Sequence, residues 1–215
     1  MSQIAPTPMA AMPEPLQTIF FWITIVGAGA VLAWSLVMAL RHKSVAPPLM
    51  ALGGFFAVLL EPTVTYLGHA IHPTEGQILL FETVDRAIPW HIGLGYMARF
   101  GAFYLSIFNR FLAGNLRHRF IWTASFISAV CYFVGEAYFV SHGLWIYYEY
   151  QPLRIWNGTA ALTWNWLNTC CQVTAVTLML FALPHLKGIA KVLLIPLAIS
   201  GAFMGHMGAG FPMYN

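Results

Sequence analysis

Long apolar stretches alternate with short polar ones along the whole chain. At about Leu16 to Leu40, Pro48 to Ile71, His91 to Ala113, Phe120 to Leu144, Thr159 to Leu183 and Gly188 to Phe211, six stretches are each long enough to cross a ~30 Å hydrocarbon core as a helix. The pattern predicts an all-α, polytopic transmembrane helix bundle. No connecting segment has room for a soluble domain, so 16–215 is expected to form a single helical domain. Residues 1–15, with four Pro and three Met, are expected to be a flexible lead. Between the second and third spans, 72–90 carries Ile78-Leu79-Leu80-Phe81 and Ile88-Pro89-Trp90. That composition fits an interfacial stretch lying along the membrane and capping what lies below.

Composition supports this frame. Of 215 residues, 59% are hydrophobic and 8% are charged, which is more apolar surface than one soluble core can hide. The few charges sort by side. Arg41 and Lys43, then Arg110, Arg117 and Arg119, then Lys187 and Lys191 flank connections that contain no acid. The other ends hold Glu14, then Glu75, Glu82 and Asp85, then Glu149. By the positive-inside rule the basic ends are cytoplasmic and both termini lie outside. The first span reads as a retained helix rather than a signal peptide, because its basic residues follow it. A net charge of +3 from these flanks suits an anionic lipid surface and gives no reason to expect a nucleic-acid partner. Cys131, Cys170 and Cys171 all fall within spans, where they read as small packing residues.

Two acids do not belong to the connections. Glu61 and Glu136 lie inside spans, where a carboxyl is costly and is functional by default. Counting ~1.5 Å per residue from the helix ends puts Glu61, Glu136, Arg99, Asn165 and Asn168 at a common depth, roughly 9 to 14 Å below the outer edge. Four helices thus deliver polar groups to one layer. Asn165, Asn168, Thr169 and Gln172 form a stripe on the fifth span, and Glu61, Thr65 and His69 form one on the second. Pro62 is expected to kink its helix beside Glu61 and leave a carbonyl exposed. Tyr132 shares a face with Glu136. Two carboxyls and one guanidinium leave one acid without a cationic partner, a candidate proton donor, while Arg99 is expected to hold the other carboxyl ionised. Trp164 and Trp166, which flank Asn165, are expected to line a pocket with Tyr132 and to face a positively charged intermediate. Trp90, Trp145, Trp156, Tyr147 and Tyr148 read as the interfacial aromatic belt.

His69, His72, His91, His142 and His206 map to the outer half. The three-residue spacing of His69 and His72 would suit two metal ligands on one helical face, with His206, Met204, Met207 and Met213 as further soft or imidazole donors. No His-x-x-x-His pair, nucleophile elbow, phosphate loop or dinucleotide fingerprint occurs, so no cofactor is expected from motifs. Gly93-Leu94-Gly95 and Gly208-Ala209-Gly210 read as close helix contacts.

Leu60-Glu61-Pro62, Gly135-Glu136 and the Tyr147-Tyr148-Glu149-Tyr150-Gln151-Pro152 run resemble a group of uncharacterised bacterial multi-pass membrane proteins. In plan the chain is also similar to the small integral-membrane terpene cyclases, which use an acid in the second helix and another in a later helix. That resemblance implies Glu61 as the first acid and Glu136 as a loose counterpart of the second. The expected function is acid/base chemistry, of cyclase or isomerase type, on a lipophilic and isoprenoid-like substrate near the outer face. Glu61 would give a proton, with Glu136 or a water on Asn165 and Asn168 taking one. Gln172 and His69 would help line the site. A non-catalytic subunit binding a metal, a pigment or partner helices in a homo- or hetero-oligomer is the alternative, and a proton path or transporter is the third reading.

Overall fold

A computed structural model describes residues 11–148, 154–155 and 160–210, with side chains described except at 154–155, 160–165 and 210. The side chains of Trp164 and Asn165, Glu149 to Pro152, Trp156, Met213 and the first ten residues lie outside the described residues.

The molecule is a helical bundle. Five helical runs are long and apolar enough to cross a membrane, at Leu16–His42, Ala46–Leu67, His118–Ser141, Trp166–His185 and Gly188–Ala209, which marks the chain as a membrane protein. A further helical run, from Trp90 to Leu112, carries His91, Arg99, Asn109 and Arg110 and is not among those five. In chain order the helices are α1 (Leu16–His42), α2 (Ala46–Phe56), α3 (Glu61–Leu67), α4 (Trp90–Tyr96), α5 (Ala102–Leu112), α6 (His118–Ser141), α7 (Leu162–Ala182) and α8 (Gly188–Gly210).

Two of the runs are interrupted, and both interruptions lie near polar groups. Between α2 and α3 the chain tightens into a 3-10 turn, Ala57–Leu60, with Pro62 in the first turn of α3. The expected bare carbonyl does not appear. The Glu61 N–H bonds the Val58 carbonyl across the tightened turn, and the Thr65 hydroxyl donates to the Glu61 and Pro62 carbonyls at 2.9 and 3.2 Å. Between α4 and α5 the chain widens into a π-helical turn, Met97–Gly101, which carries Arg99. Such turns recur at functional sites.

Glycines let α2 lie against that turn. A Cβ on Gly54 would stand 2.9 Å from the Tyr96 carbonyl oxygen, 3.0 Å from the Gly101 nitrogen and 3.1 Å from the Met97 Cα. These are backbone atoms, which cannot swing away. Gly54→Ala is therefore expected to cost about 1–3 kcal/mol and to displace the Arg99 turn, whereas Gly29→Ala, with nothing within 4 Å, should be near neutral; paired thermal unfolding measurements check both. Gly93 is a close contact too, its added Cβ meeting the Phe55 ring at 2.8 Å. Gly208 is not: nothing comes within 4 Å of it, contrary to the reading of its Gly-Ala-Gly run.

At one end of the bundle the connections fold into short antiparallel ribbons. Strand β1 (Ala70–Ile71) pairs with β4 (Ile146–Tyr147), β2 (Leu79–Thr83) with β3 (Arg86–Pro89), and β5 (Arg154–Ile155) with β6 (Ala160–Ala161). The expected interfacial stretch is thus a hairpin, turned at Val84 and Asp85, both at φ 54. Ile78, Leu79 and Val84 stay exposed, while Ile88 packs with Val58 and Ile92. Arg86 ties the hairpin down. It is buried, donates to the Tyr148 hydroxyl at 2.7 Å, and lies over the Tyr66 and Tyr148 rings.

The core on the other side of α2 joins Met50, Ala51, Phe100, Tyr104, Ile195, Ile199 and Phe203, all at most 1–2% exposed. It holds α2, the π turn, α5, α7 and α8 together. The remaining flank, between α1 and α6, is not packed shut.

Candidate functional site

A half-open cavity of about 470 Å³ occupies that flank, within the usual range for a small-molecule site. One wall is α1, through Phe20, Ile23, Thr24 and Gly27. The floor is the α4 and π-turn run, through His91, Ile92, Tyr96 and Arg99. The opposite wall is α6, through Ser128, Cys131, Tyr132, Gly135, Glu136 and Phe139. Phe20 and Phe139 meet edge to face at 4.9 Å and narrow one end. Ile23 and Cys131 are exposed at its rim, so the opening is sideways, toward where lipid would lie. Leu144 and Trp145 close the ribbon end. They reach it because Gly143, at φ +71, caps α6 in the left-handed conformation and turns the chain back. The β2–β3 hairpin contributes no lining residue, so the expected cap is this turn and not 72–90.

The two acids are both buried and are held in similar ways. Glu61 is 0% exposed; the Tyr96 hydroxyl donates to its Oε2 at 2.5 Å, and its Oε1 lies 2.8 Å from His72 Nε2. Glu136 lines the cavity directly, and the Tyr147 hydroxyl donates to its Oε1. The β1–β4 ribbon connects the two arrangements. His72 follows β1, Tyr147 is in β4, and Ala70 is paired with Tyr147 across the ladder. One short ribbon therefore supplies a partner to each carboxyl.

Arg99 does not act as expected. Among the described residues it makes no ion pair with either acid. Its guanidinium carbon lies 3.4 Å from the centre of the Tyr132 ring instead, at the cavity wall. Tyr132, Tyr96 and Trp145 separate the cavity from a void of about 20 Å³ bordered by Tyr147, Phe203 and His206.

The other residues singled out from the sequence divide clearly. Asn168, Thr169 and Gln172 are buried on one face of α7, as their spacing predicts. The amide atoms of Asn168 and Gln172 have no hydrogen-bond partner, and neither residue lines the cavity. Trp166 does not shape the pocket. It is 59% exposed, because two helical positions from Asn168 is about 200° away, on the opposite face. His69 is not on the Glu61–Thr65 stripe either. Helix α3 ends at Leu67, and His69 has φ 51 in the turn beyond it, so it and His72 do not share a helical face. His206 is buried against Phe203, with ring centres 5.2 Å apart. No group of three or more His, Cys, Asp or Glu side chains is arranged to hold a metal among the described residues.

Three side chains matter more than the sequence suggested. Trp145 and Tyr147 are the roof of the cavity and the partner of Glu136, not members of a lipid-facing belt. His91 is 2% exposed, lines the cavity, and packs edge to face on Phe20 at 5.1 Å. In the sequence Trp145 and Tyr147 read only as belt residues and His91 only as one of the outer-half histidines. The chain matches no family model, no curated protein and no solved structure.

Proposed function

We propose that this chain is an integral-membrane enzyme of acid/base type, an isomerase or cyclase, that takes a lipophilic and isoprenoid-like substrate sideways from the bilayer. The observation that carries this reading is the mainly apolar, laterally open cavity lined by Glu136 and by Tyr96, whose hydroxyl is bonded to Glu61.

The groups suit a redox-neutral proton transfer. Tyr96 gives a proton to a double bond, and Glu136 removes one from a neighbouring carbon. For a double-bond shift, one C–H bond forms, another breaks and the electron pair moves between them, so atoms and electrons balance. Glu61 does not touch the cavity, so its role is to position Tyr96 and to pass it a replacement proton, with His72 behind it. The first acid suggested by the terpene-cyclase resemblance thus acts through a tyrosine. Tyr132, with Arg99 over its ring, lines the same wall. The basic-flanked ends would face the cytoplasm, placing the ribbon end and the cavity toward the outside.

The test does not need a known substrate. Purified protein is incubated with a bacterial lipid extract in deuterium oxide, and the recovered lipids are analysed by mass spectrometry. Enrichment of carbon-bound deuterium in an unsaturated lipophile, absent without protein, is the expected result. Its absence across the isoprenoid fraction would sink the proposal.

A further inference from the structure

The cavity wall carries a guanidinium, Arg99, that pairs with no carboxylate among the described residues. Arg99 is always charged, sits within a membrane-spanning bundle, and has an aromatic ring rather than a carboxylate against it. A ring face offsets only part of what a guanidinium loses on leaving water. The carboxyl on the same lining, Glu136, is held by Tyr147, and Glu61 is held by His72 and Tyr96 behind the wall.

Two residues of the lining also carry buried polar atoms without a hydrogen-bond partner among the described residues: Trp145 Nε1, which can only donate, and His91 Nε2, which donates or accepts according to its tautomer. The lining thus places a guanidinium beside apolar walls from Phe20, Ile92 and Phe139. A ligand that matches it brings acceptors and a long apolar part.

We infer that the cavity binds an amphiphile with an anionic head, a carboxylate or phosphate, which pairs with Arg99 where its guanidinium lies over Tyr132. The apolar chain lies along α1 and α6. This rests on the proposed substrate cavity and narrows its occupant: an anionic head on Arg99 sets which carbons of the chain reach Glu136 and Tyr96. Arg99 is in this reading a binding residue, held at the wall by the π turn that Gly54 supports.

The experiment is native mass spectrometry of the full chain in detergent, titrated separately with oleate, oleyl alcohol, dioleoyl phosphatidate and dioleoyl phosphatidylcholine. Oleate or phosphatidate is expected to be retained at least about tenfold more tightly than its neutral or zwitterionic counterpart. Preference for oleate identifies a free lipophilic acid as the source of the head, and preference for phosphatidate identifies a phospholipid. Arg99→Gln should reduce the preference to near unity. Equal binding of oleate and oleyl alcohol by the unaltered protein, with phosphatidate no better than phosphatidylcholine, would overturn the anionic head while leaving the cavity reading intact. If no lipophile binds at all, both fail. The comparison within the unaltered protein decides the matter even if Arg99→Gln does not accumulate, and it is independent of whether deuterium is exchanged.

Discussion

Glu136→Gln is expected to lower deuterium incorporation into the lipophile by about 10²–10⁴-fold, the usual contribution of a positioned acid or base. The side chain lines the cavity, and its carboxyl accepts from the Tyr147 hydroxyl, so the substitution removes the proposed base. Glutamine keeps the size and one acceptor for Tyr147 but cannot take up a proton. Folding should therefore survive while exchange is lost. Tyr147→Phe separates placement from chemistry: it keeps the carboxyl and removes only the Tyr147 hydroxyl, so a smaller loss of exchange is expected. If Glu136→Gln exchanges at the unaltered rate in folded protein, Glu136 is not the base, and its place on α6 is structural.

Glu61→Ala is expected to have the largest effect on stability, about 3–5 kcal/mol, because it removes one member of a fully buried hydrogen-bonded set. The His72 Nε2 and the Tyr96 hydroxyl would both lose their partner at once, in surroundings where no water replaces it cheaply. Glu61→Gln should be milder, since the amide oxygen can still accept from Tyr96. The diagnostic comparison sets thermal unfolding beside deuterium exchange for the two variants. Glu61→Gln that unfolds near the normal temperature and yet exchanges slowly supports a proton-supplying role. Glu61→Gln with normal stability and normal exchange would leave Glu61 as helix glue alone.

Much of this protein was legible along the chain because membrane spans are governed by local composition. An apolar run of sufficient length must be helical in lipid, since its backbone has no other hydrogen-bond partners there. The helical runs therefore fall close to where the hydrophobic pattern put them, and α6 and α8 begin within a few residues of the expected positions. The burial of Asn168, Thr169 and Gln172 followed from helical spacing for the same reason. The cost of a carboxyl in a span likewise singled out Glu61 and Glu136, and both are buried.

Partnerships were not legible, because they depend on how helices meet. Arg99 shares a depth with both acids, but the π turn that carries it sets it over Tyr132. His72 and Tyr147 lie in connections, and their reach to the acids depends on the pairing of β1 with β4, a contact between segments more than seventy positions apart. Trp166 looked like a pocket residue by proximity to Asn165, yet its angular position on α7 turned it outward. The sequence by itself determined the membrane character, the helical runs and the two buried acids, since those depend on the transfer of single groups into hydrocarbon. Only the tertiary structure decided which groups hold those acids and that a cleft stays open between α1 and α6, because close packing permits one arrangement among many that share the same hydrophobic pattern.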